Sequence, residues 1–162
     1  MRVLILWRHA KAQSATVAEG DHQRSLAERG RADAQRIASR LIAGGRLPEL
    51  ILCSDSRRTM DTADAIDRAA GRALDRIALS DLYHASIDDY LRLIGEFGGG
   101  CSTLLIVGHN PTIEAFAEAV TGDALVRVRP GDLSIYNCAA SDWTAATIGD
   151  FTRTAVLSPR GE

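Results

Sequence analysis

The sequence predicts an α/β fold with three α/β/α layers and a mostly parallel central sheet. Three observations predict it. Short aliphatic runs recur at Val3–Trp7, Leu50–Cys53 and Thr103–Val107. Each run ends in a cluster of polar or turn-forming residues. Beyond each cluster, apolar residues return at spacings of three and four, the period of an amphipathic helix. Strand–helix alternation of this kind builds parallel sheets buried on both faces.

The first strand is expected over about 2–7, followed by a loop over about 10–24 rich in small and charged residues. Ser25-Leu26-Ala27-Glu28 has capping-box spacing. It is expected to open a helix carrying Ala34, Ile37, Ala38, Leu41 and Ile42 on one face, stopped by Gly44, Gly45 and Pro48. A strand over about 50–53 leads into a helix over about 56–70, and a short strand lies near 76–80. Ser86-Ile87-Asp88-Asp89 caps a helix with Ile87, Tyr90, Leu91 and Ile94 aligned; Gly98–Gly100 ends it. That glycine run lacks the Gly-Lys-Ser/Thr ending of a phosphate loop and reads as a plain loop. A strand over about 103–108 precedes a helix to about 121, with Asn110 as N-cap and Pro111 as first helical residue. From about 124 the pattern is of strands: 132–137, 143–148 and 152–156. No repeat or linker interrupts the chain, so a single domain over 1–162 is expected.

Three strand ends carry the chemistry. Arg8-His9-Ala10 ends the first run, at the carboxyl edge where open α/β sheets place their sites. Arginine grips an oxyanion with paired hydrogen bonds, and a neutral imidazole is a nucleophile. Such a dipeptide alone is an ordinary surface feature. At the second end, Gly108-His109-Asn110-Pro111 follows the 103–108 strand. Gly108 is expected to let the backbone turn sharply. His109 then falls at a helix N-terminus, where an anion is favoured. At the third end, Arg57 and Arg58 fall in the first turn of a helix, which disfavours cations unless an anion binds there. Arg57 reads as solvated, and Asp61 is placed to pair with Arg57 or Arg58. A parallel sheet brings these ends together.

The set resembles the histidine phosphatase, or phosphoglycerate-mutase-like, superfamily. The matching residues are Arg8-His9-Ala10, Ser54-x-x-x-Arg58-x-x-x-Thr62-Ala63 and Gly108-His109-Asn110-Pro111. Within it the chain is similar to the short SixA-type phosphohistidine phosphatases. Arg8-His9-Ala10-Lys11-Ala12, the Asp21–Gly30 stretch and Leu82-Tyr83-His84-Ala85 carry that likeness. It extends over about residues 1–155. The resemblance implies a phosphoglycerate-mutase-like fold and a phosphatase working without metal or other cofactor. His9 would be the nucleophile, and Arg8, Arg58 and His109 would hold the phosphoryl oxygens. The Asp-x-x-Arg stretch implies that Arg24 lines the pocket; the plainer alternative pairs Arg24 with Glu28. Asn110 is a further candidate for phosphate or substrate contact.

Larger members of the superfamily place an acidic residue in a long insertion after the third strand. This chain has only Asp81-Leu82-Tyr83-His84 there, so Asp81 and His84 are the candidate general acids. An imidazole leaves phosphorus more readily than an alkoxide. The missing carboxylate therefore favours phosphohistidine on a protein, such as a histidine phosphotransfer protein, and argues against mutase activity. A small-molecule phosphomonoesterase is the alternative, as is a phosphate-recognition module without catalysis.

Composition narrows the classes. With 19 Lys+Arg against 21 Asp+Glu the net charge is −2, and aromatic residues are 5%. Neither suits nucleic-acid binding. Cys53, Cys101 and Cys138 form no CxxC or CxxH pattern, so neither a disulfide framework nor a zinc site is expected. Cys53 reads as a small core residue. A metal site built from His9, His109 and Asp55 would suffer repulsion from the flanking arginines. No membrane-length apolar stretch or signal peptide is visible, so a cytoplasmic monomer is expected. Arg127 and Arg129 alternate with Val126 and Val128, putting both arginines on one side. That side reads as a solvated face, with a basic rim for a phosphorylated partner as the alternative.

Overall fold

In the computed structural model, which describes residues 1–14 and 20–161, the chain forms one six-stranded sheet. Part of the expected 10–24 loop, at 15–19, lies outside the described residues. The strands are β1 (Arg2–Arg8), β2 (Leu50–Ser54), β3 (Arg76–Leu79), β4 (Thr103–Gly108), β5 (Leu133–Cys138) and β6 (Phe151–Leu157). The α-helices are α1 (Glu28–Ala43), α2 (Arg57–Ala70), α3 (Ile87–Phe97) and α4 (Thr112–Thr121). The sheet order is β3-β2-β4-β1-β5-β6. The first four strands in this order are parallel; β5 runs antiparallel to β1, and β6 antiparallel to β5.

Alternation along the strands divides the core. Leu4, Leu6, Leu52, Leu104 and Ile106 face one way, against Tyr90 and Ile94 of α3 and Phe116 of α4. Ile5, Trp7, Ile51, Cys53, Leu105 and Val107 face the other, against Ile37 and Leu41 of α1 and Ile66 of α2. Successive side chains of a strand point to opposite faces, so continuous apolar runs need a helical layer on each side. β4 returns between β1 and β2, pairing Arg8 with Gly108 and Cys53 with Val107. His9, His109 and Ser54 therefore leave the sheet within about one residue of the same level. Among the described residues, no helix is long and apolar enough to cross a membrane.

Several local expectations are corrected. Ser25 does not cap α1, whose N-cap is Ala27 without a side-chain bond. Residues 25–27 stay extended because Leu26 bridges to Ala12, and the Ala27 N–H donates to the Lys11 carbonyl at 2.9 Å. The strand expected at 143–148 is instead two short 3-10 turns, Trp143–Ala145 and Ile148–Asp150. Local acceptors decide this: Asp142 takes the Ala145 N–H at 3.0 Å, and Asp150 takes the Thr147 N–H at 2.8 Å. The Trp143 indole N–H donates to the Cys101 carbonyl at 2.7 Å, pinning the turn under α3.

At the head of α4, Pro111 is the N-cap and the helix starts at Thr112, so Asn110 lies one position further out. Proline has no N–H to offer the first turn, so nothing is lost by leaving it outside. Gly108 is not a turn residue but the last residue of β4. A Cβ there would collide with the Tyr90 hydroxyl of α3, so the glycine is needed for space. Residues 126–129 keep the expected alternation: the valines are buried and the arginines exposed.

Candidate active site

His9 follows β1 and is buried, 8% exposed. Its Nδ1 lies 2.8 Å from the Ala10 carbonyl, so Nδ1 carries the proton and Nε2 keeps its lone pair. Arg58 Nε donates to that Nε2 at 3.3 Å. Burial, and then the charges of Arg58 and Arg8, push the imidazole down to about 4. His9 is thus neutral at physiological pH, as a nucleophile must be.

His109 follows β4, 7% exposed. Its Nδ1 is 3.5 Å from Arg58 Nη2 and its Nε2 is 2.8 Å from Ser54 Oγ. A guanidinium only donates, so the His109 proton sits on Nε2 and is directed to Ser54. Burial, and then the neighbouring His9 and Arg58, lower its pKa to about 3. The two rings meet edge to face with centroids 5.4 Å apart.

Arg58, in the first turn of α2, is the hub of the cluster. Its remaining donors go to Asp21: Nη1 to the carbonyl at 2.8 Å and Nη2 to the carboxylate at 3.1 Å. Thr62, one turn further along α2, donates to the Arg58 carbonyl at 2.8 Å and accepts the Ala10 N–H at 3.1 Å. One hydroxyl thereby ties the nucleophile loop to the arginine's helix.

Arg8 sits at the very end of β1, not beyond it. Its Nη1 donates to the Val128 carbonyl at 2.9 Å, and its buried Nε has no partner among the described residues. Buried donors are normally satisfied, and exceptions cluster at working sites. Burial lowers the Arg8 pKa, partly offset by Glu114 and Asp132.

The other expected residues divide. Arg24 joins the cluster: it pairs with Asp21 at 2.9 Å rather than with Glu28, and its charge reaches His9. Asn110 is drawn into the scaffold instead. Its Nδ2 donates to the Val128 carbonyl at 2.9 Å and its Oδ1 accepts the Glu114 N–H at 3.2 Å. Val128 thus receives both Asn110 and Arg8, and Asn110 positions the segment that holds Arg8. Asp81 is exposed and its carboxylate faces Arg92 of α3 at 3.3 Å. His84 lies at the rim, its ring centroid 4.5 Å from that of Tyr83. Asp61 pairs with Arg31 at 3.4 Å, not with Arg57 or Arg58. Asp55 pairs with His22 at 3.3 Å. Among the described residues, no three His, Cys, Asp or Glu side chains group as metal ligands. Cys53 is fully buried, and burial pushes its thiol up to about 12.

Two participants escaped the sequence reading. Tyr83 donates its hydroxyl to the Asp21 carboxylate and stands 5.3 Å, centroid to centroid, from His109. Ser54 orients His109. Both residues stand in the quoted motifs, but neither carries a signal of its role without the fold.

Known proteins share this fold. The profile of the histidine phosphatase superfamily, branch 1, matches residues 4–89. A crystal structure from Agrobacterium tumefaciens, provisionally named as phosphohistidine phosphatase SixA, is 30% identical and superposes with a TM-score of 0.83 over 98% of both chains. One from Nakamurella multipartitia under the same provisional name is 27% identical, with a TM-score of 0.84 over 98% of this chain and 96% of the other. An uncharacterised chloroplastic protein of Arabidopsis thaliana is 26% identical over 154 residues, 90% of this chain and 70% of its own. A Mycobacterium leprae relative is 35% identical over 63% of this chain, and the match spans 61% of its own length.

Proposed function

Because the chain belongs to the histidine phosphatase superfamily and is a phosphatase, we propose that it hydrolyses phosphohistidine carried on a protein, through a covalent phosphohistidine on its own His9. The observation that carries the covalent step is the Nδ1 bond of His9 to the Ala10 carbonyl, which leaves Nε2 unprotonated. The Nε2 lone pair forms a bond to phosphorus as the bond from phosphorus to the leaving nitrogen breaks. The leaving imidazole takes up a proton. Water then attacks the phosphorus of the enzyme-bound phosphohistidine, the N–P bond breaks, and orthophosphate departs.

The transferring phosphoryl spreads negative charge over three equatorial oxygens. Arg8 and Arg58 would hold them, with Arg24 at the edge, and His109 would join them once the bound phosphoryl charge draws a proton onto its Nδ1; donors of this kind stabilise charge developing in the transition state. Asp21 must then give up the Arg58 donors it holds in the substrate-free arrangement. His84 is the better-placed proton donor for the leaving group, since the Asp81 carboxylate is taken up by Arg92.

The choice of phosphohistidine is supported by chemistry and by likeness. Asp21, whose carboxylate pairs with Arg58 beside the imidazoles, is held down to about 2, chiefly by the Tyr83 hydroxyl and then by Arg58 and Arg24. It is ionised at neutral pH and a poor acid. An imidazole leaving group has little need of a strong one. The names of the Agrobacterium and Nakamurella structures point to the same substrate class.

The test is a rapid quench into alkali with a phosphohistidine-bearing protein as donor, on the native chain and on His9→Ala. A transient label at His9 with phosphate release, both absent from the variant, is expected. Equal release by both proteins would remove His9 as nucleophile. Release from small phosphoesters alone would replace the substrate class.

A further inference from the structure

A second basic feature lies beside the nucleophile loop. A cavity of about 310 Å³ is lined by Lys11, Arg29, Asp33, Arg129, Pro130 and Arg160. The four cations are exposed. Among the described lining residues the single carboxylate, Asp33, is 4% exposed and already pairs with Arg29 at 3.9 Å, Arg36 at 3.3 Å, and Arg160. The described lining residues therefore carry an excess of three positive charges (four cations less one carboxylate) in a chain whose net charge is −2.

The cavity is built into the catalytic end of the sheet. Lys11 lies two residues beyond His9, within about 7 Å along the chain. The Gly131 N–H donates to the carbonyls of Arg8 and His9 at 3.1 and 3.0 Å, fixing the preceding Arg129-Pro130 against the nucleophile strand. Gly30 lets α1 close onto Lys11, whose carbonyl would collide with any Cβ there. Arg127 shares the open side with Arg129.

We infer that this cleft docks an acidic segment of the phosphorylated protein substrate. A lone oxyanion is gripped by donors converging on one point. Here four cations from four separate segments surround a larger volume, the spread needed for several carboxylates. Positive walls beside the reacting group also steer an acidic partner and fix its orientation. The inference rests on the reading of a protein-borne phosphohistidine.

It is tested by following backbone amides by NMR while the full chain is titrated with a hexaglutamate peptide and, separately, with inorganic phosphate. The peptide is expected to shift Lys11, Arg29, Arg129 and Arg160, and to bind more weakly as salt rises. Lys11→Glu/Arg129→Glu is expected to weaken it about tenfold. Both side chains are exposed, and the variant's own spectrum reports its fold. The same variant should raise KM for an acidic phosphohistidine protein about tenfold more than KM for free phosphohistidine. Silent amides, or phosphate binding there as tightly as the peptide, would overturn the docking site. So would an unchanged KM ratio, leaving the substrate class standing. If the native chain turns over no phosphohistidine, the substrate reading falls, and the titration alone still decides whether the cleft takes acidic peptide.

Discussion

The Asp21 carboxylate lies 3.1 Å from Arg58 Nη2, so the arginine that touches both histidines already carries an anion of the chain's own. Arg24 Nε, 2.9 Å away, and the Tyr83 hydroxyl complete its cradle. An anion held where phosphoryl oxygens would bind must be displaced by them.

Asp21→Asn removes that competing charge. Inhibition by inorganic phosphate is expected to strengthen roughly three- to tenfold, read as a fall in the competitive inhibition constant. Weaker inhibition would mean that Asp21 chiefly organises Arg24 and Arg58.

Arg58→Lys keeps one positive charge and loses the planar fork that reaches His9, His109 and Asp21 together. A drop in kcat of about 10²–10³ is expected, comparable with the loss of one donor to a developing oxyanion. The drop should appear in single-turnover phosphorylation of His9. A loss confined to KM would make Arg58 a ground-state binding residue.

The pH dependence follows from two depressed imidazoles. Burial comes first for both, and places His9 near 4 and His109 near 3, against about 6.5 for a free histidine. Above pH 6.5 both rings are neutral in the folded and the unfolded chain. Below it the unfolded chain takes up protons first, so stability falls as pH drops from 6.5 towards 4. The loss is at most about 1.4 kcal/mol per pH unit for each ring. Urea midpoints at pH 7 and pH 5 measure it. In His84→Gln, which removes the candidate proton donor, kcat/KM, which reports the free enzyme, should show no break near 6.5; a break there would mean that His9 or His109 is solvated and unshifted.

Gly108→Ala drives a methyl group into the Tyr90 hydroxyl, which is buried and without a partner among the described residues. Overpacking of this kind costs about 1–3 kcal/mol. Gly108→Ala/Tyr90→Phe should recover most of it, because the phenyl ring lacks the colliding oxygen. Thermal melts of the single and double variants decide. Equal melting points would show that the collision is relieved by another movement.

Much of this was legible in the chain. The runs at Val3–Trp7, Leu50–Cys53 and Thr103–Val107 carry apolar residues for both sheet faces, so they could lie only between two helical layers. Arg8, His9, Arg58 and His109 stand at the ends of those runs, and parallel pairing brings the ends to one edge. Sequence alone determined the strands and helices outside the 143–148 segment, and that Arg8, His9, Arg58 and His109 follow strand ends, because periodicity and strand-end position are local properties.

Only the tertiary structure decided how those groups are wired. Asp21 reaches Arg58 across 37 positions, Ser54 reaches His109 across 55, and Tyr83 reaches Asp21 across 62. No periodicity records such pairings. Ser25, Asn110 and Gly108 depart from their local pattern for the same reason. Each has a strong local preference, and each is overruled by a distant partner: the Ala12 and Lys11 backbone, the Val128 carbonyl and the Tyr90 hydroxyl; the 143–148 segment instead turns on its own Asp142 and Asp150 acceptors and is pinned by the Cys101 carbonyl. Local propensity is worth about 1 kcal/mol or less per residue, whereas a buried donor without an acceptor, or a steric overlap in the core, costs more. Where the two compete, the long-range contact sets the geometry.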